Sequence, residues 1–462
     1  MKDTSMKSLP PLFRGGSRLL LEKEVAKRSQ SDVQGHDSFF VADLSKILQQ
    51  HLRWMQYLPF RPFYAVKCNP DPYVIRLLAA LGAGFDCASI SEIKDVLEVL
   101  GDHPGSGSHI LFANPCKFSA DVRYSAEHDV RMATFDNADE LEKMARFHPR
   151  CQLLLRLLTD DTGSPFPLGH KYGASLAIVP ALLEKARGLQ LNVVGVSFHV
   201  GSSCYKPDVF RDAIWRSKEA FAIAQGIGYQ FTILDIGGGF DDSPVRGSET
   251  SIFEQVAGVV RQAIDDYFPV PNRPPGFEVI AEPGRFHVFP SFTYATNIIA
   301  RRLPSESGYA QQYSSNGEAS GTAPLMYYIS DGIYGGLANI VADHRSVHPY
   351  VVSLGGKFNL TFNRSELEPS SLWGPTCDSV DLVSPRTLLP RGLQIGDWIA
   401  FPDMGAYTTC LATKFNGCEA GPVVHATGDG EHGEEVYFAL MRFKKDRASD
   451  ALSKAGVLLA KL

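Results

Sequence analysis

No segment of this 462-residue chain approaches the roughly 18 consecutive apolar residues of a membrane-spanning helix. Near the N-terminus only Leu19 to Leu21 precede Glu22, too short a run for a signal-peptide core. An excess of positive charge is also missing. Lys plus Arg total 45 against 51 Asp plus Glu, a net charge of −6, so little is available to neutralise a phosphate backbone and no nucleic-acid partner is expected. The eight cysteines (68, 87, 116, 151, 204, 377, 410 and 418) include no Cys-x-x-Cys pair, unlike a disulfide framework or structural zinc site, and read as reduced thiols of a cytoplasmic protein. No Gly-x-x-x-x-Gly-Lys loop occurs, which speaks against a nucleotide-dependent kinase. The first 30 residues carry more Lys and Arg than acid, and this leaves a transit peptide open as the alternative address.

What is present is ordinary globular composition, 44% hydrophobic and 21% charged, in a chain long enough for about three domains or for one large barrel and a smaller unit. Between residues 60 and 285, short apolar runs alternate with longer stretches of helical period. Strands are expected at Pro62 to Val66, Gly84 to Cys87, His109 to Ala113, Val130 to Phe135, Cys151 to Leu157, Val193 to His199, Thr232 to Ile236 and Glu278 to Ala281. Helices are expected at Pro72 to Leu81, Ser91 to Leu100, Ala138 to Phe147, Lys206 to Gln225 and Ile252 to Tyr267. Strands this apolar need cover on both faces, so the α/β pattern predicts a (β/α)8 TIM-type barrel over 59–290, with a doubly wound open sheet as the fallback. Later runs such as Leu325 to Ser330, Gly396 to Phe401 and Glu435 to Met441 read as short strands of a mostly β domain over 291–462, with a flexible insertion at 303–323. Residues 1–37 read as an N-terminal extension, and 38–58 as a segment packing with the β domain, to which Phe39 to Ala42 would add a strand.

Polar residues at the strand ends carry the chemistry. Lys67, Asp86, Arg156, His199, the run Gly237-Gly238-Gly239 and Glu282 close the first, second, fifth, sixth, seventh and eighth barrel strands, the end at which such barrels build active sites. Singly, a lysine after a strand is usually solvated and a glycine run is usually a turn. Six such landmarks at one mouth are a different matter. A lysine in an apolar setting can lose its proton and form a Schiff base with pyridoxal 5'-phosphate. The glycine run suits a phosphate, Arg285 adds a forked charge, and Glu282 could pair with a protonated pyridine nitrogen. Metal is not expected: His344 and His348 are spaced i, i+4, but no third ligand follows and Pro349 interrupts a helix. His432 reads as part of a solvated loop.

Seven ordered segments then carry a family resemblance. They are Phe63-Tyr64-Ala65-Val66-Lys67-Cys68-Asn69, Phe85-Asp86-Cys87-Ala88-Ser89, His199-Val200-Gly201-Ser202, Leu234-Asp235-Ile236-Gly237-Gly238-Gly239-Phe240, Ala281-Glu282-Pro283-Gly284-Arg285, Trp373-Gly374-Pro375-Thr376-Cys377-Asp378 and Asp403-Met404-Gly405-Ala406-Tyr407-Thr408. From about 38 to 442 the chain resembles the eukaryotic ornithine decarboxylases. The resemblance implies an alanine-racemase-type barrel, pyridoxal phosphate as cofactor, and a head-to-tail homodimer with shared sites. It implies that Lys67 holds the cofactor aldehyde, His199 stacks on the ring and Glu282 meets its nitrogen. Ser202, Gly239, Arg285 and Tyr407 would bind the phosphate, with Gly237, Gly238 and Gly284 among the cofactor-binding residues and Asp86, Glu92 and Arg156 near the ring. From the second subunit, Cys377 would return a proton to Cα, and Asp378 with Asp343 would receive a distal ammonium. Lys171 would sit on a mobile loop. Ala342, where the family usually has an aromatic residue before the Asp-His pair, is a departure, as are the 303–323 insertion and a tail after 442 without an acidic, proline-rich segment.

The chemistry agrees with the resemblance. Loss of carbon dioxide leaves a carbanion, so a carboxylate keeping the pyridinium protonated favours decarboxylation, and two aspartates suit a diamino acid. Ornithine to putrescine is the leading expectation, with a lysine or dual lysine/ornithine decarboxylase and a non-catalytic regulatory paralogue as alternatives. Intact Lys67, Cys377 and Asp378 speak against the paralogue. A regulatory protein partner is left open.

Overall fold

The computed structural model describes residues 9–30, 38–101, 105–244, 248–303 and 325–445. Its strands begin with β1 (Leu12–Phe13) and β2 (Phe39–Asp43). Then come β3 (Arg61–Ala65), β4 (Gly84–Cys87), β5 (Ile110–Phe112), β6 (Met132–Phe135), β7 (Gln152–Arg156), β8 (Asn192–Ser197), β9 (Ile233–Asp235) and β10 (Glu278–Ala281). The chain continues through β11 (Phe292–Arg302), β12 (Leu325–Ile329), β13 (Tyr350–Ser353), β14 (Leu367–Trp373), β15 (Leu382–Pro390), β16 (Trp398–Phe401) and β17 (Val423–Ala426).

Strands β3 to β10 are all parallel and close into a barrel, β10 pairing with both β9 and β3. Each expected barrel strand and helix is present with its ends within two residues of the reading above. Local chemistry explains the regularity. Asp71 caps helix Pro72–Ala80 by accepting from the N–H groups of Tyr73 and Val74, while Ser89, Asn137 and Ser251 cap the helices Ile90–Leu100, Ala138–Phe147 and Ile252–Tyr267. Buried Ile93, Val96, Leu97 and Leu100 form one stripe of their helix, at the i, i+3, i+4, i+7 spacing that turns a single face to the strands. Helices Ser119–Glu127 and Val179–Gly188 complete the surround. Such a barrel places every strand's C-terminal end at one mouth.

The chain divides into two units, described separately here. Among the described residues the barrel unit takes Ile47–His287 with 438–445, and the β unit takes 9–46 with Val288–Tyr437. The β unit is a nine-stranded sheet along the path β1-β17-β2-β11-β12-β14-β15, with β16 pairing with β11 and β13. The N-terminal stretch read as an extension belongs to it: β1 pairs with β17, and Leu20, Leu21 and Val25 of helix Ser17–Arg28 share a buried cluster with Phe39, Trp398 and Ala426. Most of 44–58 is helix Leu44–Tyr57, not a segment of the β domain alone; from Ile47 onward it groups with the barrel, where buried Trp54 meets Phe240, Phe253 and Phe286. Truncating Trp54 to alanine would cost about 3 to 5 kcal/mol.

Two further readings are corrected. Glu435 to Met441 is not a strand but part of helix Gly430–Lys445, because buried Val436, Leu440 and Phe443 repeat at helical spacing within a β-like composition. His432 therefore lies on a helix, its Nδ1 3.0 Å from Glu435. The 303–323 insertion falls, apart from its first residue, outside the described residues. Among the described residues no helix is long and apolar enough to cross a membrane.

Candidate active site

Immediately after β3, Lys67 sits in a single 3-10 turn, Val66–Cys68, and its Nζ pairs with the carboxylate of Asp86 on β4. The Lys67 side chain is 39% exposed and that of Asp86 is 1% exposed, so a reachable amine stands on a buried anion. Asp86 Oδ1 is buried with no hydrogen-bond partner among the described residues. A buried carboxylate oxygen left in this way costs about 1 to 3 kcal/mol or more, which an arriving donor recovers.

Three backbones cross at the glycine run. Gly237 has φ +60, and a Cβ there would lie 1.9 Å from the Phe198 carbonyl oxygen; Gly239 has φ +104, and its Cβ would lie 2.7 Å from the Gly201 oxygen. Only glycine meets both requirements. A Cβ on Gly238 would come within 2.8 Å of His199 Nε2. The run thus forms a bare floor between the ends of β8 and β10. Gly284 does the same for the next turn, since its Cβ would lie 3.0 Å from Cys68 Cβ and 3.1 Å from Ala65 Cβ. Arg285, 5% exposed, donates to Ser202 Oγ at 3.2 Å.

The Gly201 N–H donates to His199 Nδ1 at 3.0 Å, so the neutral tautomer carries its proton on Nε2. Burial, reinforced by Arg156 and Lys67, pushes the imidazole's basicity far below the ordinary value and keeps it uncharged. Glu282 is driven the other way. Burial first, then Asp235 and Asp86, raise its carboxyl well above the usual carboxylate range, with Lys67 and Arg156 opposing. Arg156, closing β7, lies over the Tyr172 ring at 4.9 Å. Glu92 is drawn into the cap of its helix, accepting from the Ala88 N–H at 2.7 Å. Lys171 lies over the same Tyr172 ring at 4.9 Å.

The β unit holds the remaining candidates. Cys377 is exposed, its Sγ accepting from Asn416 Nδ2 at 3.4 Å. Asp378 accepts from the Tyr334 hydroxyl and, at 3.0 Å, from the Val380 N–H; together these hold its carboxyl below the usual range. Beneath them Asp381, 1% exposed, accepts from Ile333 N at 3.0 Å, Thr376 N at 3.1 Å and Thr376 Oγ1 at 2.7 Å. A Cβ on Gly374 would lie 2.2 Å from that carboxylate. Asp343 closes the helix Asn339–Ala342 and faces Arg345 Nε at 3.3 Å, so its charge already has a cation beside it. Tyr407 is half-buried with φ +55, in the loop where Gly405 passes the Val288 carbonyl too closely for any side chain. Tyr334, Asp381 and Asp235 did not figure among the sequence candidates. Asp235, last residue of β9, was discoverable by the strand-end rule that singled out Lys67.

An amine on a buried carboxylate, a glycine floor beside a buried arginine, and a raised carboxyl at the end of the neighbouring strand fit a pyridoxal 5'-phosphate molecule. Lys67 suits its aldehyde, the glycines and Arg285 its phosphate, Glu282 a cationic ring nitrogen, and Asp86 Oδ1 a donor on the ring side. Fold and site together define a pyridoxal-phosphate barrel enzyme. Residues 44–289 match the model of the pyridoxal-binding domain of pyridoxal-dependent decarboxylases, and the chain belongs to that family. It is 46% identical to the ornithine decarboxylase of Neurospora crassa over 82% of this chain and 78% of that one. It is 41% identical to antizyme inhibitor 2 of Xenopus laevis over 89% of this chain and 85% of that one. The solved arginine decarboxylase of Paramecium bursaria Chlorella virus superposes with a TM-score of 0.76 at 32% identity, covering 88% of this chain and all of that one.

Proposed function

We propose that the chain is a carboxy-lyase of polyamine biosynthesis that converts L-ornithine to putrescine and carbon dioxide. The observation that carries this reading is the Glu282 carboxyl, raised by its desolvated surroundings and set beside Lys67 at the ends of the neighbouring strands β10 and β3, in a chain 46% identical to an ornithine decarboxylase. Bound there, pyridoxal phosphate supplies the electron sink for the charge that departing carbon dioxide leaves on Cα. The protein supplies everything else. Lys67 holds the aldehyde carbon, and Asp86 keeps the amine in place. His199, kept uncharged, would meet the face of the bound ring, where an imidazolium would compete with the ring for electrons. Glu282 holds the proton of the ring nitrogen, with Arg156 balancing the carboxylates around it. Gly237, Gly238, Gly239, Gly284, Ser202, Arg285 and Tyr407 hold the phosphate.

Cys377 and Asp378 act from a second copy of the chain in a two-fold homodimer. Support comes from their placement in the β unit: the thiol is exposed and the carboxylate is kept ionised. Cys377 returns a proton to Cα. Asp378 receives the distal ammonium, with Asp343 as a weaker second anion because Arg345 shares it. The reading includes a cytoplasmic location and a regulatory protein partner, the latter supported by the likeness to an antizyme inhibitor.

A panel of ornithine, lysine and arginine with product identification tests the substrate. Putrescine from ornithine should dominate. One methylene is worth only about 1 to 3 kcal/mol, so a kcat/KM for lysine equal to or above that for ornithine would replace this reading with the dual-substrate one. Absence of turnover by the cofactor-loaded protein would point to a regulatory paralogue.

A further inference from the structure

Asp235 has no place in the scheme above, yet like Asp86 it is fully enclosed in the barrel mouth, at 0% exposure. Two connections tie it to Glu282. Its Oδ1 accepts from the Gly237 N–H at 2.9 Å, and the Gly237 carbonyl accepts from the Glu282 N–H at 2.7 Å, so one glycine peptide links both residues. Their strands are neighbours, Asp235 pairing with Ile280, two residues before Glu282. Asp235 Oδ2 is buried with no hydrogen-bond partner among the described residues, and the Glu282 carboxyl lies close enough for the Asp235 charge to raise it. Two carboxyls in contact away from water do not both ionise.

We propose that Asp235 is a positioning residue that shares a single proton with Glu282, and that the ring N–H of the cofactor displaces this proton when it binds. The inference rests on Glu282 being the ring's partner. Before binding, Glu282 is the acid and donates to the Asp235 carboxylate. On binding, the cationic ring N–H donates to Glu282, whose O–H bond breaks, and the proton leaves to solvent. No electrons change hands. Asp235 stays anionic behind Glu282 and draws the shared positive charge toward the floor of the site. The other charged and titratable groups facing the pair are Asp86 from β4, Lys67 after β3 and Arg156 from β7; His199 from β8 borders the same floor and is uncharged. The raised carboxyls of both Asp235 and Glu282 agree with one retained proton.

The test uses 4'-deoxypyridoxine 5'-phosphate, which keeps the ring nitrogen and phosphate but has no aldehyde for Lys67. Titration calorimetry of apoprotein prepared from the holoenzyme, in two buffers of different ionisation enthalpy at pH 7, counts protons released. Any contribution from the phosphate cancels between variants. Wild type should release about one proton per site more than Asp235→Asn, a variant that keeps an acceptor for the Gly237 N–H. Asp235→Asn should also lower kcat about ten- to a hundredfold with KM for ornithine little changed, as loss of an outer partner does; Asp235→Glu should restore part of the proton release. Equal release by wild type and Asp235→Asn overturns the shared proton. Glu282→Gln separates the two ideas: unchanged affinity and release in that variant would remove Glu282 as the ring's partner, whatever Asp235 does. Should Asp235→Asn fail to fold, Glu282→Gln against wild type still decides, since a pair without a shared proton predicts no difference in release.

Discussion

The barrel mouth and the 374–381 loop of the β unit are both rich in carboxylates, but they treat them oppositely. In the barrel, Asp86 and Asp235 are fully buried, and burial lifts Asp235 and Glu282 out of the usual carboxylate range. In the loop, only the scaffold residue Asp381 is buried, while Asp378 is held as an anion by a hydroxyl and an N–H, beside an exposed thiol. The first arrangement stores unfavourable desolvation that a cationic ring relieves. The second presents a ready charge to whatever covers it. A decarboxylase of diamino acids needs both: a site that polarises, and a site that recognises an ammonium and delivers a proton.

Breaking the polarising side should cost most. Lys67→Ala removes the amine paired with Asp86 and should lower kcat more than about a thousandfold. Borohydride reduction of the loaded wild type followed by peptide mapping should place the label on Lys67; label on another lysine would shift the tether elsewhere. The two regions then separate in a mixing experiment. Lys67→Ala and Cys377→Ala are each expected to be inactive. After subunit exchange half of the dimers are mixed, and one of the two sites in each has both wild-type residues, so activity should recover to about a quarter of wild type. Verified exchange without recovery would mean that the site is completed within one chain.

A smaller effect is expected from the loop scaffold. Asp381→Asn replaces one acceptor oxygen by a donor facing the Ile333 or Thr376 groups, costing about 1 to 3 kcal/mol of local order. Misplacement of Cys377 and Asp378 should lower kcat/KM about ten- to a hundredfold. The cofactor spectrum should stay that of wild type, because the barrel mouth is untouched. A changed spectrum would contradict the separation of roles.

Much of this was legible in the sequence, for a physical reason. Parallel barrel strands are apolar throughout and carry polar residues at their C-terminal ends, so Lys67, Asp86, His199 and Glu282 stand out as candidates by position. The β unit is less readable. Its helix Gly430–Lys445 carries Val-Tyr-Phe residues that mimic a strand, and only the spacing of Val436, Leu440 and Phe443 gives the period away. Asp381 reaches Ile333 across 48 positions and Tyr334 reaches Asp378 across 44, contacts that no local pattern encodes. Helix Ser17–Arg28 has a weak apolar stripe and becomes recognisable through the core it joins, where Leu20, Leu21 and Val25 are buried.

The smallest effect at neutral pH is also the one that ties acid tolerance to the barrel and not to the loop. His51 and His287 pack with ring centroids 5.7 Å apart inside the barrel unit. Burial lowers His51 from 6.5 to about 4, offset only in part by the Leu81 backbone, and lowers His287 through burial and the neighbouring His51. A depressed histidine means that the unfolded chain binds protons which the folded chain refuses. The stability is therefore complete above about pH 6.5 and lost as pH falls toward 4, and His51 alone accounts for about 3 kcal/mol of that loss. His51→Phe keeps a flat ring and removes the titration, so its unfolding free energy should match wild type within about 1 kcal/mol at pH 8 and fall less steeply between pH 6.5 and 4.5. Urea unfolding across that range reads the slope. Parallel slopes for the two proteins would move the acid limit away from this pair and onto the other histidines of the barrel whose basicity burial lowers, His199 and His148, and not onto the raised carboxyls of Asp235 and Glu282. Groups whose folded pKa is raised favour the folded state as pH falls, so they cannot produce acid unfolding. Acid unfolding of the barrel therefore falls to its depressed histidines, and His51→Phe measures how much of it this pair carries.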